Sequence, residues 1–240
     1  LSAVGGLQAG PNLTITTNYF ANNPNTNRAT PFSASITNLR VNSANAKALG
    51  LLGATTTSDG SINFATAFQN DYDYDPSNGI GANQIDFTGI ATHEIGHALG
   101  FISGVDQLDN MGATPSSTTS NTVFVSPLDL FRRSGASTSP DVTVDQRSKY
   151  FSLDNGATNL TLFSLGASSR GDGSQASHWK DNLGLGIMDP TAGDGELLAI
   201  SQNDIRGFDA MGYTPVPEPA TIAALGLGAL ALLKRRRKSA

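Results

Sequence analysis

Cysteine is absent from this chain of 240 residues. Its absence excludes disulfide bridges, thiolate metal ligands and a cysteine nucleophile within this stretch. Charged residues are also scarce, at 15% of the chain, and histidine occurs only three times. Glycine and proline are abundant, with 26 and 11 residues, so the composition indicates a globular, loop-rich protein with one substantial domain or two small subdomains.

Basic residues are rare in most of the chain because five of the fifteen lysines and arginines form one run at residues 234–238. Residues 1–214 carry 10 basic and 19 acidic side chains, a balance of −9. An acidic body of this kind repels phosphates, which argues against nucleic-acid binding. The chain begins with Leu1 rather than Met. We therefore expect an N-terminal segment, with any secretion signal, to precede it.

The first ninety residues predict mainly strands. Alternating or β-branched patterns predict strands at residues 13–20, 36–41 and 61–68, and a short helix is expected at residues 44–49, before a glycine. The spacing of the apolar residues then changes to that of a helix, with Thr88 as its expected cap and Gly100 as its end. The overall prediction is an α+β fold.

The second half of the chain predicts loops with a few regular elements. Strand-like segments occur near residues 149–153 and 159–165. Ser201 and Asp204 form a variant capping box, which predicts a final helix that runs through Met211. We find no internal repeat.

The motif that carries chemistry is H-E-x-x-H, formed by His93, Glu94 and His97 on the predicted helix. Residues four apart lie on the same face of a helix, so both imidazoles can point at one metal ion. Glu94 lies beside them and can reach a water bound there. With only three histidines in the chain, two of them at this spacing favour a zinc site over coincidence.

A catalytic zinc ion usually has three protein ligands and one open position. The one histidine outside the motif is His178, which lies 81 positions after His97 and is followed by Trp179. It is the expected third ligand. The alternatives are a carboxylate such as Asp106 or Asp129, in which case His178 is a surface histidine beside a buried tryptophan.

The pattern H-E-x-x-H-x-x-G from His93 to Gly100, with a distant His178 and a turn at Met188, resembles the metzincin metalloproteases. Compact metzincins have a histidine three residues after the glycine, where this chain has Ser103. The chain is therefore most similar to the leishmanolysin-like group, in which an insertion displaces the third histidine. The resemblance covers residues 86–213, about half of the chain.

This resemblance implies a twisted mixed β-sheet with the zinc-binding helix in a sheet subdomain, residues 1–102. It implies a loop-rich C-terminal subdomain, residues 103–214, which holds the insertion, the third histidine, Met188 in a turn beneath the zinc, and a final helix under the site. For Met188, ordinary core filling would leave the same pattern. Residues 215–240 form a separate tail.

The tail consists of Val216-Pro217-Glu218-Pro219, an apolar stretch at residues 220–233 and the basic run. Fourteen residues make about 21 Å of helix, less than the roughly 30 Å hydrocarbon core of a bilayer. The order of these parts resembles the PEP-CTERM sorting signal of Gram-negative bacteria, which an exosortase recognises and removes. It implies transient inner-membrane association, export, and delivery to the cell surface or extracellular matrix.

Residues 71–79 form an acidic loop that superficially resembles a calcium site. An EF-hand that begins at Asp71 would need glycine at Pro76 and glutamate at Ala82, so that assignment fails. We interpret the loop as part of the substrate cleft, with a calcium site of another kind as the alternative.

Taken together, these patterns predict a monomeric, secreted zinc metalloendopeptidase that acts on proteins or peptides. Zinc is held by His93, His97 and His178, and Glu94 is the general base. The alternatives are a non-catalytic surface or matrix protein that retains the zinc-binding fold, and a zinc hydrolase that acts on a non-peptide amide.

Overall fold

The structure is a computed structural model that describes residues 15–19, 32–36, 39–54, 56–110, 125–135 and 140–215. It is a mixed α+β protein, as the sequence predicts, with small sheets and short helices. The described strands are β1 (Ile15–Tyr19), β2 (Phe32–Ile36), β3 (Tyr72–Asp73), β4 (Ile85–Asp86), β5 (Arg132–Arg133), β6 (Lys149–Phe151) and β7 (Thr161–Phe163). The helices are α1 (Ser43–Ala48), α2 (Phe87–Leu99), α3 (Gly104–Asn110) and α4 (Gln202–Ala210).

The described strands form three separate small sheets instead of the single mixed sheet that the family resemblance implies. β1 and β2 are antiparallel, with Ile15 opposite Ile36 and Tyr19 opposite Phe32. β3 and β4 form a two-residue parallel pair. β5, β6 and β7 form an antiparallel sheet in sequence order. The predicted subdomain boundaries stay a prediction.

Two of the predicted strands in the first half are wrong, while the strand at 13–20 and the helix at 44–49 are confirmed as β1 and α1. The predicted strand at 36–41 shares only Ile36 with β2, because the pairing with β1 ends there; beyond it, Leu39 makes one isolated bridge to Val125. Residues 37 and 38 lie outside the described residues.

The predicted strand at 61–68 is irregular and ends in a 3-10 helix, Thr66–Phe68. Of its alternating apolar residues, Phe64 packs on Phe87 of α2 with ring centroids 4.9 Å apart, whereas Ile62 and Phe68 are exposed. The alternation therefore does not mark one buried face, and residues 61–65 are in no strand of the structure.

The second half matches its predictions more closely. β6 and β7 confirm the strand-like segments, and α4 begins with the predicted capping box of Ser201 and Asp204. A buried core surrounds Trp179, which is in ring contact with Phe101, Phe151 and Phe163. This core lies directly behind the segment that carries His178.

Candidate metal centre

The helix α2 places His93 and His97 on one face, as predicted, but it begins one residue before Thr88. Its cap is Asp86, whose carboxylate accepts the Gly89 N–H at 2.8 Å. At the other end, Gly100 adopts a left-handed conformation (φ 116°) and the Phe101 N–H bonds the Gly96 carbonyl. Thr88 is therefore wrong as the cap, because the acidic side chain two residues earlier precedes the helix and accepts the Gly89 N–H.

His178 reaches the same place from the other half of the chain. Its carbonyl accepts the Ser164 N–H at 3.0 Å, and the next residue, Trp179, donates its N–H to the Met188 carbonyl at 2.9 Å. The histidine is buried, with 6% of its surface exposed. The interpretation of His178 as a surface histidine is therefore wrong, since backbone hydrogen bonds on both sides hold it in the interior.

The three imidazoles converge through their Nε2 atoms. The Nε2–Nε2 distances are 3.0 Å for His93 and His97, 3.1 Å for His97 and His178, and 3.3 Å for His93 and His178. Each Nδ1 faces a backbone carbonyl, of Ile187 at 2.8 Å, Phe101 at 2.7 Å and Gln175 at 3.2 Å respectively. Carbonyls only accept, so each Nδ1 is a protonated nitrogen, and in the neutral ring the Nε2 then presents a lone pair.

Three converging lone pairs repel one another unless a cation lies among them, so this arrangement fits a metal site. Two nitrogen ligands of a tetrahedral zinc ion at bond lengths of about 2.0–2.1 Å lie about 3.3–3.4 Å apart, close to the separations in this cluster. Burial and the neighbouring histidines lower the pKa of His178 to about 3. Burial also lowers the pKa of His97. Low pKa values favour the neutral imidazole that binds a metal.

The acidic alternatives for the third ligand lie elsewhere. Asp106 accepts the N–H groups of Ala176 at 2.6 Å and Ser177 at 3.1 Å, and also the Ser177 hydroxyl. Asp129 accepts the Ser103 hydroxyl at 2.5 Å and the Gly104 N–H at 2.8 Å. Their oxygens are therefore occupied by the protein itself. In the part of the chain that the structure describes, His93, His97 and His178 form the one group of side chains that could hold a metal.

Glu94 lies beside the cluster and lines an open cleft of about 600 Å³ together with His97. Residues 60–65 also line this cleft, and so does Tyr72 of the acidic loop. A molecule in the cleft can therefore approach Glu94 and His97 at the same time.

Two carboxylates of the acidic loop, those of Asp73 and Asp75, accept N–H groups of the loop and of the residue Gly81 that follows it. Asp73 accepts the N–H groups of Asp75 at 3.0 Å and Gly81 at 3.1 Å, and Asp75 accepts the Ser77 N–H at 3.1 Å. They stabilise turns, so the described contacts give the loop a structural role, and the calcium alternative stays a prediction.

The predicted turn at Met188 lies against α2. Met188 is fully buried, and a Cβ atom built on Gly96 would lie 2.5 Å from the Met188 Sδ. Gly96 therefore permits the close approach of the turn to the helix that carries both histidines. A glycine inside a helix costs about 1 kcal/mol relative to alanine, and this contact explains why the helix has a glycine at position 96.

Residues 215–238 match the PEP-CTERM protein-sorting motif. This confirms the predicted sorting signal and indicates an exported protein of the cell surface or the extracellular space. Signals of this kind are processed by an exosortase. No curated protein and no solved structure matches the chain. Within the described ranges, no helix is both long and apolar enough to span a bilayer.

Asp204 is the important residue that sequence reasoning saw only in part. Besides its role in the capping box, its buried carboxylate accepts the Trp179 Nε1–H at 2.8 Å and the N–H groups of Ile187 at 2.9 Å and Met188 at 3.2 Å. It thus joins α4, the Met188 turn and the segment of His178.

The PEP-CTERM motif begins at Pro215, five residues after the end of α4.

Proposed function

We propose that this exported protein is a zinc-dependent metalloendopeptidase of the metzincin type, similar to leishmanolysin. The observation that carries the proposal is the convergence of the Nε2 atoms of His93, His97 and His178 within 3.0–3.3 Å, next to a cleft that contains Glu94. Three imidazoles that converge through their Nε2 atoms, with His97 and Glu94 at a cleft, match the donor set of a catalytic zinc site.

Each residue of the cluster then has a defined role. The three histidines would hold the metal, and the carbonyls on their Nδ1 atoms keep the imidazoles oriented and in the correct tautomer. When bound, zinc polarises a carbonyl and lowers the pKa of water toward 7. Glu94 accepts the proton of the attacking water and passes it to the leaving nitrogen of the peptide.

The contacts of Ser103 support the metzincin proposal with an inserted segment. Ser103 occupies the position where compact metzincins have their third histidine, and its N–H donates to the Ser177 Oγ at 2.8 Å. The residue before His178 therefore touches the position of the missing histidine. The chain leaves the contact between Ser103 and Ser177 after Ser103 and returns to it at Ser177. An insertion between these two residues can therefore move the third histidine along the sequence while the histidine keeps its place beside α2.

The sorting motif gives the proposal its setting. We propose that the chain belongs to a Gram-negative bacterium, associates with the inner membrane transiently through its tail, and reaches the cell surface or matrix after exosortase processing. A protein or peptide is the proposed substrate, and a monomer is the expected state.

The decisive experiment is the substitution Glu94→Gln in the purified chain. The parent protein should hydrolyse casein, lose activity with a chelator and regain it with zinc. The variant should retain one zinc ion per chain, because Glu94 is not a ligand, but lose about 10²- to 10⁴-fold in turnover. Glu196→Gln, an exposed glutamate, is the matched control and should be fully active. Zinc binding without any turnover in the parent protein would refute the peptidase and favour the non-catalytic binding protein.

A further inference from the structure

An apolar groove lies on the side of α2 opposite the candidate metal centre. It has a volume of about 610 Å³, and its walls are formed by Ile95 and Leu99 of α2 and by Ile205 and Phe208 of α4. Three isoleucines at the groove are unusually open to solvent, with exposed fractions of 48% for Ile95, 59% for Ile200 and 37% for Ile205. A contiguous exposed apolar surface of this kind indicates a binding partner.

The position of the groove identifies the partner. Thr214 and Pro215 belong to its lining, and Pro215 is also the first residue of the sorting motif. The apolar run at residues 220–233 follows after only four residues, a link that spans at most about 14 Å. A segment on so short a tether has an effective concentration in the millimolar range at the mouth of the groove.

The charges of the two parts are also complementary. The body, residues 1–214, has a balance of −9, whereas the basic run that follows the apolar segment carries five positive charges. Asp209 lies in the lining of the groove and is exposed. Attraction between body and tail therefore adds to the burial of apolar surface.

We propose that, before the tail enters the membrane or is removed, this groove binds the apolar segment of the chain's own sorting signal, residues 220–233. The groove covers an aggregation-prone apolar run while the protein is in water, and removal of the tail opens the groove. The proposal rests on the sorting motif and is independent of peptidase activity.

The absence of cysteine makes a crosslinking test simple, since an engineered pair is the only pair in the chain. The full chain carries Ile205→Cys in the groove together with Leu225→Cys, Leu227→Cys or Leu230→Cys in the tail. The matched control replaces Ile205→Cys by Leu153→Cys, because Leu153 has a similar exposed fraction, 41%, but does not line the groove. The oxidation is performed at low protein concentration, without detergent, and the products are separated on a non-reducing gel.

At least one groove pair should form a disulfide within one chain ten times faster than every control pair. Phospholipid vesicles, which offer the tail another apolar phase, should abolish this difference. Equal rates for groove and control pairs, or disulfides only between two chains, would overturn the proposal; the second result would make another copy of the chain the occupant.

A second measurement does not depend on the engineered pairs. The double substitution Leu227→Asp and Leu230→Asp leaves the body intact and should release the tail from the groove. Binding of the apolar dye ANS should then increase at least twofold relative to the parent chain. An unchanged fluorescence would show that the tail does not cover the groove.

Discussion

Replacing Asp204 with asparagine tests whether one buried carboxylate holds the metal centre together. One oxygen of Asp204 accepts from Trp179 Nε1 at 2.8 Å and from the Met188 N–H at 3.2 Å. The other accepts from the N–H groups of Ile187 at 2.9 Å and Ser201 at 2.6 Å. Because either orientation of an asparagine places its NH₂ group against two donors, two buried hydrogen bonds are lost. At about 1–3 kcal/mol for each unpaired donor, Asp204→Asn should lower the free energy of unfolding by about 2–6 kcal/mol.

Urea unfolding followed by circular dichroism measures this loss. Asp209→Asn on the exposed face of the same helix is the matched control and should change stability by less than about 0.5 kcal/mol. The metal affinity should fall as well, because the Ile187 carbonyl holds the Nδ1 of His93 at 2.8 Å. If the Asp204 variant unfolds at the same urea concentration as the parent protein and binds zinc equally well, the carboxylate does not organise the site.

Three further predictions concern other contacts of the site and the core. Asp106→Asn should keep one zinc ion per chain but weaken its binding about 10-fold, measured by competition with a chelator, because Asp106 positions the segment before His178. Gly96→Ala should lower the free energy of unfolding by about 1–3 kcal/mol in thermal melts, since the new Cβ would lie 2.5 Å from Met188 Sδ. Burial opposes ionisation of Asp145, but its cationic neighbours still lower its pKa to about 2. The ionised carboxylate should therefore contribute about 2–3 kcal/mol to the free energy of unfolding above pH 4, and this contribution is lost as the pH falls toward 2.

Each of these has its own contradicting result. Complete loss of zinc from Asp106→Asn would make that carboxylate a ligand. A Gly96→Ala variant that is stabilised, as Gly53→Ala at an open position should be, would refute the close contact with Met188. Acid unfolding of Asp145→Asn at the same pH as the parent protein would show that Lys149 and Arg147 do not stabilise the ionised carboxylate.

The sequence predicts the helix of the site well because local rules determine it. The period, Gly100 and the H-E-x-x-H spacing all lie within one segment, and they determine the face that His93 and His97 share. His178 could be inferred only by elimination, since no local rule joins residues 81 positions apart. The predicted strand at 61–68 is wrong because a local alternation does not supply a strand partner: Phe64 packs on Phe87 of α2, while Ile62 and Phe68 are exposed.

The supporting residues escape prediction because a buried aspartate has no sequence pattern of its own. Asp86, Asp106, Asp129 and Asp204 each accept at least two backbone N–H groups, and each joins segments that are far apart in sequence. The described strands form only small sheets and the chain has no cysteine, so these aspartates accept N–H groups that neither strand pairing nor disulfides arrange.

Some of the acidic residues of the body are therefore part of its internal hydrogen bonding. These four carboxylates hold the start of α2, the segment before His178, the turn after Gly100, and the Met188 turn. Every element that supplies or supports a histidine of the cluster thus depends on an aspartate that is not a ligand. Substitution by asparagine keeps the side-chain volume but replaces an acceptor oxygen by a donor NH₂ group. It therefore distinguishes a supporting aspartate from a metal ligand: for a supporting aspartate, the affinity for the metal falls while the number of metal ions per chain is unchanged.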